Sequence, residues 1–413
     1  MTGTRPDTTK VWDLNTHFRV ALPNVVTLGQ HFKNHGYFVQ GMGKIFHNGF
    51  DDPPTWSVPW QAPKGETYAL EASRPPATPL PPKKGKRRQA RGDKGLAYES
   101  AAVPDETYRD GQVALMAIDA LREISGQKQP FFLAVGFARP HLPFVAPQKY
   151  WELYDPSRIE LATNPFLPKG APLYAIQPGG ELRAYREIPP GSIPADLARR
   201  LKHGYYASIS YMDAQLGKVL DELDRLDLTR NTIIVLWGDH GWKLGEHQAW
   251  CKHSNCENDT RSTLLLSSPG MKGMGGQSLG LVEFVDIYPT LCDLAGLPLP
   301  DHLEGVSFRP LLDDPGRPWK KAAFSQYPRD TLTAKLMGYS MRTDQYRFTA
   351  WVDRSDPNKW LTTELYDHSV DPQENTNIAD RPDVGPLVEK LTANWRAGWK
   401  GALPESKPAP KAE

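Results

Sequence analysis

The 413 residues are 39% hydrophobic and 23% charged, with a formal net charge of +1. That composition supports one large folded lobe plus a smaller one, and it supplies no global field to draw nucleic acid or an anionic membrane. No apolar run is long enough to span a bilayer, the opening Met1-Thr2-Gly3-Thr4-Arg5-Pro6 lacks the apolar centre of a signal peptide, and three cysteines make no disulfide framework.

In chain order, Asn24 caps a predicted helix through Val25, Leu28 and Phe32 that Gly36 ends. A strand at Tyr37–Gln40 follows, then the turn Gly41-Met42-Gly43-Lys44. From Asp51 to Pro104 the chain is rich in proline and polar residues, with a basic run from Lys83 to Arg91, and it reads as an irregular surface excursion. A helix fits Glu106–Ile124, and strand Phe131–Phe137 ends in Ala138-Arg139-Pro140-His141. A long amphipathic helix over Pro194–Leu226 carries its stripe on Leu197, Leu201, Tyr205, Ile209, Met212, Leu216, Val219 and Leu223. Strand Thr232–Trp237 leads into Gly238-Asp239-His240, and strand Thr263–Ser267 and a helix near Leu281–Ala295 continue the alternation. The pattern predicts an α/β fold, a mainly parallel sheet with helices on both faces, over residues 1–315. Two strands, Gly338–Arg342 and Tyr346–Val352, and a helix near Val384–Trp399 predict a small antiparallel C-terminal unit over 316–405, before a Pro/Lys-rich tail at 406–413.

Polar groups stand at the ends of these strands: Lys44 with His47, then His141, then Asp239 with His240, and Lys252 beyond. Strand ends at one edge of a parallel sheet are where ligands bind. Two lysines and several histidines there suit a bound oxyanion such as sulfate or phosphate. Asp239 offers an oxygen to a hard cation, but calcium takes six to eight, so one carboxylate does not complete such a site. Cys251 and Cys256 are close enough to pair or share a metal, though no third and fourth ligand follow zinc spacing. Neither a His-Glu-x-x-His helix, a Walker loop nor a Gly-x-Ser-x-Gly elbow is present.

Gly43-Lys44-Ile45-Phe46-His47, Arg139-Pro140-His141-Leu142-Pro143-Phe144, and Asp239-His240-Gly241-Trp242 with Leu244-Gly245-Glu246-His247 carry a resemblance. The chain resembles the type I sulfatases of the alkaline phosphatase superfamily over nearly its whole length, and among them the iduronate-sulfatase branch. Weaker support comes from Arg5-Pro6-Asp7-Thr8-Thr9, Ser325-Gln326-Tyr327-Pro328-Arg329 and Glu364-Leu365-Tyr366-Asp367. The resemblance implies a calcium ion bound by Asp239 and His240, sulfate held by Lys44 and Lys252, His47 as a base beside the nucleophile, and His141 as proton donor to the leaving alcohol. Trp242 matches a position near the substrate, with core packing the equal alternative. The implied substrate is a sulfated carbohydrate such as a 2-O-sulfated uronic acid, and the implied location is the periplasm, the cell surface or a lysosome-like compartment. Oligomeric state is not legible.

One departure matters. The family's nucleophile is a formylglycine made from the cysteine of a Cys-x-Pro-Ser-Arg run, preceded by paired aspartates on the first strand. None of the three cysteines here stands in such a run, and the adjacent pair Asp51-Asp52 lies in the Pro-rich loop. The expectation is therefore a chain that starts after its nucleophile, inactive as it stands, with an unpaired sheet edge where that strand would lie. Two further readings stay open: a phosphodiesterase or phosphonate hydrolase of the same superfamily, and a non-catalytic binder of sulfated glycans.

Overall fold

The computed structural model describes residues 1–76 and 94–405, so the basic run Lys83–Arg91 and the tail Ser406–Glu413 lie outside the described residues. The first half runs α1 (Pro6–Thr9), α2 (Leu28–Asn34), β1 (Phe38–Gly43), β2 (Lys94–Leu96), β3 (Tyr98–Ala101), α3 (Arg109–Ser125), β4 (Phe131–Gly136), β5 (Phe144–Pro147) and α4 (Gln148–Trp151). It continues with β6 (Tyr185–Arg186), α5 (Ala195–Arg225), β7 (Ile234–Trp237), α6 (Glu257–Thr260), β8 (Leu264–Ser267), α7 (Ile287–Leu294) and α8 (Arg309–Asp313). The C-terminal part holds β9 (Ala323–Asp330), β10 (Lys335–Arg342), β11 (Tyr346–Asp353), β12 (Asp356–Asp367) and α9 (Gly385–Gly401).

β1 and β4 pair in parallel from Phe38 opposite Phe131 to Gly43 opposite Gly136, so both strands end at the same level. β7 pairs antiparallel with β8. All four strands belong to one layer, because side chains alternate between the same two helical faces. Phe132 and Ala134 of β4, with Val235 and Trp237 of β7, pack against Leu28 and Phe32 of α2 and Ile287 and Leu291 of α7. Phe131, Leu133 and Val135 of β4, with Ile234 of β7, pack against Val113, Ala117 and Leu121 of α3 and Val219 and Leu223 of α5. The outer edge of β1 is covered by residues 57–61, through Ser57 on Val39 and a bridge from Met42 to Gln61. Among the described residues no ladder joins β4 to β7, and every residue of both strands is partly exposed despite helices on either face. Among the described residues β4 therefore has one ladder neighbour, β1.

Several elements differ from the sequence reading. Thr27, not Asn24, caps α2: its hydroxyl accepts from the Gln30 amide at 3.4 Å. β1 runs on through the glycines read as a turn, because they admit close neighbours; a Cβ on Gly41 would stand 2.5 Å from the Trp56 ring. The excursion from Asp51 to Pro104 contains β2 and β3, which pair in parallel with β6 and β5. On α5 the predicted stripe is buried at Leu201, Val219 and Leu223, but Ile209 is exposed, and Tyr211 and Gln215, outside the stripe, are buried and hydrogen-bond to Asp105. The C-terminal sheet is antiparallel in the order β12-β11-β10-β9, with α9 packed on it through Leu391. No described helix is long and apolar enough to cross a membrane.

Candidate active site

Lys44 follows the last residue of β1, and its amide donates to the Gly136 carbonyl at 2.8 Å. The approach is possible only because Gly43 has φ +70° and no Cβ; a methyl there would lie 2.1 Å from that oxygen. β7 ends at Trp237 and releases Asp239 toward the same edge, where the Lys44 ammonium donates to Asp239 Oδ2 at 3.0 Å. Asp239 Oδ1 lies 3.6 Å from His240 Nε2, and His240 Nδ1 bonds the Gly241 carbonyl at 2.8 Å.

The turn after β4 brings in the second half. The buried Asp110, in the first turn of α3, accepts the amides of Ala138 and Arg139 at 2.9 and 2.8 Å. Arg139 then donates to the His141 carbonyl at 2.6 Å, and His141 Nδ1 bonds the Leu142 carbonyl at 2.8 Å. The other ring nitrogen, Nε2, faces the Lys252 ammonium at 2.7 Å. Lys252 comes from a loop fixed by a buried ion pair, Lys243 to Asp259 at 2.7 Å, with Ser254 accepting from the same ammonium at 2.8 Å. Trp242 forms the floor: its ring lies 5.3 Å from His141 and 6.0 Å from His240, and Lys252 sits 5.1 Å above it. It also packs into the core beside Phe144, as the core-packing alternative expects.

Burial pushes the Asp239 carboxyl up, but His240 and Lys44 outweigh it and hold the group below its ordinary value. Burial lowers His240 despite the opposing pull of Asp239. Lys252 is also lowered, chiefly by burial, with Glu181 acting against the shift. Glu181 was not anticipated. It sits on a short turn, Gly180–Ala184, entered through Gly179 and Gly180 at positive φ. Its Oε1 accepts from Lys252 at 2.7 Å, and its Oε2 lies 3.2 Å from His141 Nε2. His253, 3.4 Å from Glu181 and stacked on Tyr327, completes the rim. The surrounding loop has no periodic pattern, so nothing in the sequence singled Glu181 out.

The structure therefore brings Lys44, His141, Asp239, His240, Trp242 and Lys252 to one edge. His47 stands apart: it is exposed, its ring stacks on Phe50 at 6.2 Å, and among the described residues it makes no hydrogen bond to the others. Asp51 and Asp52 serve the fold instead, Asp51 accepting from Trp56 and Asp52 paired with Arg19. Cys251 and Cys256 do not pair: all three cysteines are free and buried. Burial pushes the thiols up to about 11 for Cys251 and about 12 for Cys256 and Cys292, so none is a thiolate nucleophile at neutral pH.

Calcium does not fit these residues alone. Asp239 is the carboxylate they offer at the β7 end, it is already paired with Lys44, and a calcium ion takes six to eight oxygens. A second cluster, Glu257, His368 and Glu374, has the spacing for a metal. Its carboxylates are bridged by the Arg347 guanidinium, and Glu257 is paired with Arg342 as well, so the cluster is a neutralised ion-pair core.

The ammonium groups of Lys44 and Lys252, the imidazoles of His141 and His240 and the carboxylates of Asp239 and Glu181 meet at the edge where β1 and β4 end, a set of groups that suits an oxyanion. The sulfatase family profile matches residues 1–297, and that of the N-sulphoglucosamine sulphohydrolase C-terminal region matches residues 245–398. The chain belongs to the sulfatase family, whose members are sulfuric ester hydrolases. It is 33% identical to iduronate 2-sulfatase of Homo sapiens over 95% of this chain and 83% of the relative. Its fold is shared with a sulfatase solved with its substrate D-glucosamine-2-N,6-O-disulfate (TM-score 0.73, 19% identity, 97% of this chain and 86% of that one). It is shared as well with a phosphonate monoester hydrolase of Agrobacterium radiobacter (TM-score 0.69, 20% identity, 96% and 84%).

Proposed function

We propose that the chain is the oxyanion-binding body of a sulfatase for a sulfated sugar, specifically a 2-O-sulfated uronic acid, with residues 1–315 carrying the chemistry and 316–405 closing the fold. One observation carries this reading: Lys44 and Lys252 reach the same edge as His141, His240 and the face of Trp242. Likeness to iduronate 2-sulfatase supports the sugar. In this reading the two ammonium groups hold the sulfate oxygens and neutralise charge that grows on them. With a nucleophile supplied, His141, once protonated at Nε2, would give a proton to the leaving alcohol oxygen and His47 would serve as base on the nucleophile's side, while Trp242 lies against the sugar ring. Asp239 and His240 are the two residues that would hold a metal ion at this edge, and by themselves they do not complete a calcium site. Glycosaminoglycan breakdown in the periplasm, at the cell surface or in a lysosome-like compartment fits such a substrate.

The sequence contains no Cys-x-Pro-Ser-Arg run to become formylglycine, and its three thiols are buried. We assign to these 413 residues binding of the sulfate ester without turnover. Calorimetric titration tests the binding: methyl 2-O-sulfo-iduronide should bind and its unsulfated counterpart should not. Lys44→Ala and Lys252→Ala should each weaken binding by about tenfold or more, as loss of a charged hydrogen bond does. Tighter binding of a phosphonate monoester than of the sulfated uronide would move the assignment to phosphoryl esters, which the fold neighbour supports.

A further inference from the structure

The mechanism above leaves one buried charge at the site without a role. Glu181 is about one-fifth exposed, and its carboxylate touches three cationic or basic groups at once: Lys252, His141 and His253. Lys252 is only 15% exposed and among the described residues pairs with one carboxylate, Glu181. In the observed network the ammonium donates to Glu181 Oε1 and to His141 Nε2, while His141 donates from Nδ1 to the Leu142 carbonyl. The second oxygen, Oε2, is buried without a hydrogen bond and aimed at the imidazole. The turn that presents Glu181 is tightly built: a Cβ on Gly180 would stand 1.8 Å from Cys251 Sγ, next to Lys252 in the chain.

We propose that Glu181 is a positioning residue that keeps the Lys252 ammonium charged and aimed across Trp242 into the pocket, so that sulfate-ester binding persists to higher pH. This rests on the reading of Lys252 as a sulfate-binding group. The carboxylates of Glu181 and Asp239 and the Cys251 thiol face Lys252 with favourable charge or none. Lys44, His141, His240 and His253 face it with opposing or neutral character. Burial drives Lys252 toward the neutral amine and Glu181 resists it. Glu181 is itself pushed up by burial but held well below the carboxylate range by His141 and Lys252, so it is ionised throughout the working range. Replacing it with a neutral isostere removes the opposing influence, and Lys252 then loses its proton at lower pH.

The test is calorimetric titration of the full chain with methyl 2-O-sulfo-iduronide from pH 5 to pH 10, for wild type, Glu181→Gln, Lys252→Arg and the double variant. The alkaline midpoint of binding should fall by about one to three pH units in Glu181→Gln, as expected on losing an adjacent opposite charge. The shift should vanish in the Lys252→Arg background, because a guanidinium does not deprotonate there. Superimposable wild-type and Glu181→Gln profiles overturn the proposal and leave the sulfate-ester reading intact. No binding by wild type at any pH overturns both. If Glu181→Gln does not fold, Glu181→Asp decides: it should keep the wild-type midpoint with weaker binding at every pH, and a lowered midpoint there contradicts the proposal.

Discussion

At the scale of single residues, several of the most buried charges are paired, Lys243 with Asp259, Lys320 with Asp286 and Arg347 with Glu374, and the pairing has a pH signature. Glu374 is 1% exposed. Burial pushes its carboxyl up, but Arg347, His368 and the Glu257 amide overcome this and bring it down to about 2. A folded-state value below the unfolded one means stabilisation fully present above about pH 4.5 and lost as pH falls toward 2. Urea midpoints of wild type should therefore drop steeply from pH 5 to pH 3, and Glu374→Gln, already less stable, should show a shallower drop. Equal slopes would mean that Glu374 does not titrate as a paired group. Such residue-level effects also mark where the sequence was silent. Lys44, His141, Asp239 and Lys252 were legible because each follows an apolar run or a motif. Glu181 was not, because its place beside Lys252 depends on a loop with no period folding back across the sheet edge.

At the scale of elements, the site exists because β1 and β4 end in register. Gly43 sets that register, with φ +70° and the Gly136 oxygen where a Cβ would go. Gly43→Ala should separate the strand ends, lower the melting temperature and abolish binding of the sulfated uronide by displacing Lys44. Gly36→Ala is the control: φ is +87° and nothing lies within 4 Å of its Cβ, so it should cost about 1–2 kcal/mol for the left-handed backbone and leave binding unchanged. Full binding by Gly43→Ala would show that the strand ends do not place Lys44. Strands with unbroken apolar runs, 131–136 and 234–237, were readable from sequence. β9 and β12 were not, because Ser, Gln, Pro and Arg interrupt the first and Asp, Asn and Lys open the second. On α5 the stripe was legible at Leu201, Val219 and Leu223, but hydrophobicity also pointed to Ile209, which is exposed, and missed Tyr211 and Gln215, which lie buried in hydrogen bonds to Asp105.

At the scale of the whole molecule, one layer of strands between two helical faces carries a charged edge, and the C-terminal sheet locks onto it. Asn255 donates to the Gly338 carbonyl at 3.0 Å, and Leu336 and Trp351 share a core cluster with Cys256 and Ala249. The loop bearing Lys252 is thus held from both sides. The chain belongs to the sulfatase family; the proposal of binding without turnover rests on the missing Cys-x-Pro-Ser-Arg run and the buried thiols. The most direct measurement is sulfate release, followed by ion chromatography, from methyl 2-O-sulfo-iduronide at a concentration that calorimetry shows to saturate the pure chain. The account predicts that the bound ester is recovered intact, with no sulfate above the protein-free control. Steady release of sulfate that Lys44→Ala abolishes would contradict it, and would require a nucleophile elsewhere among these 413 residues.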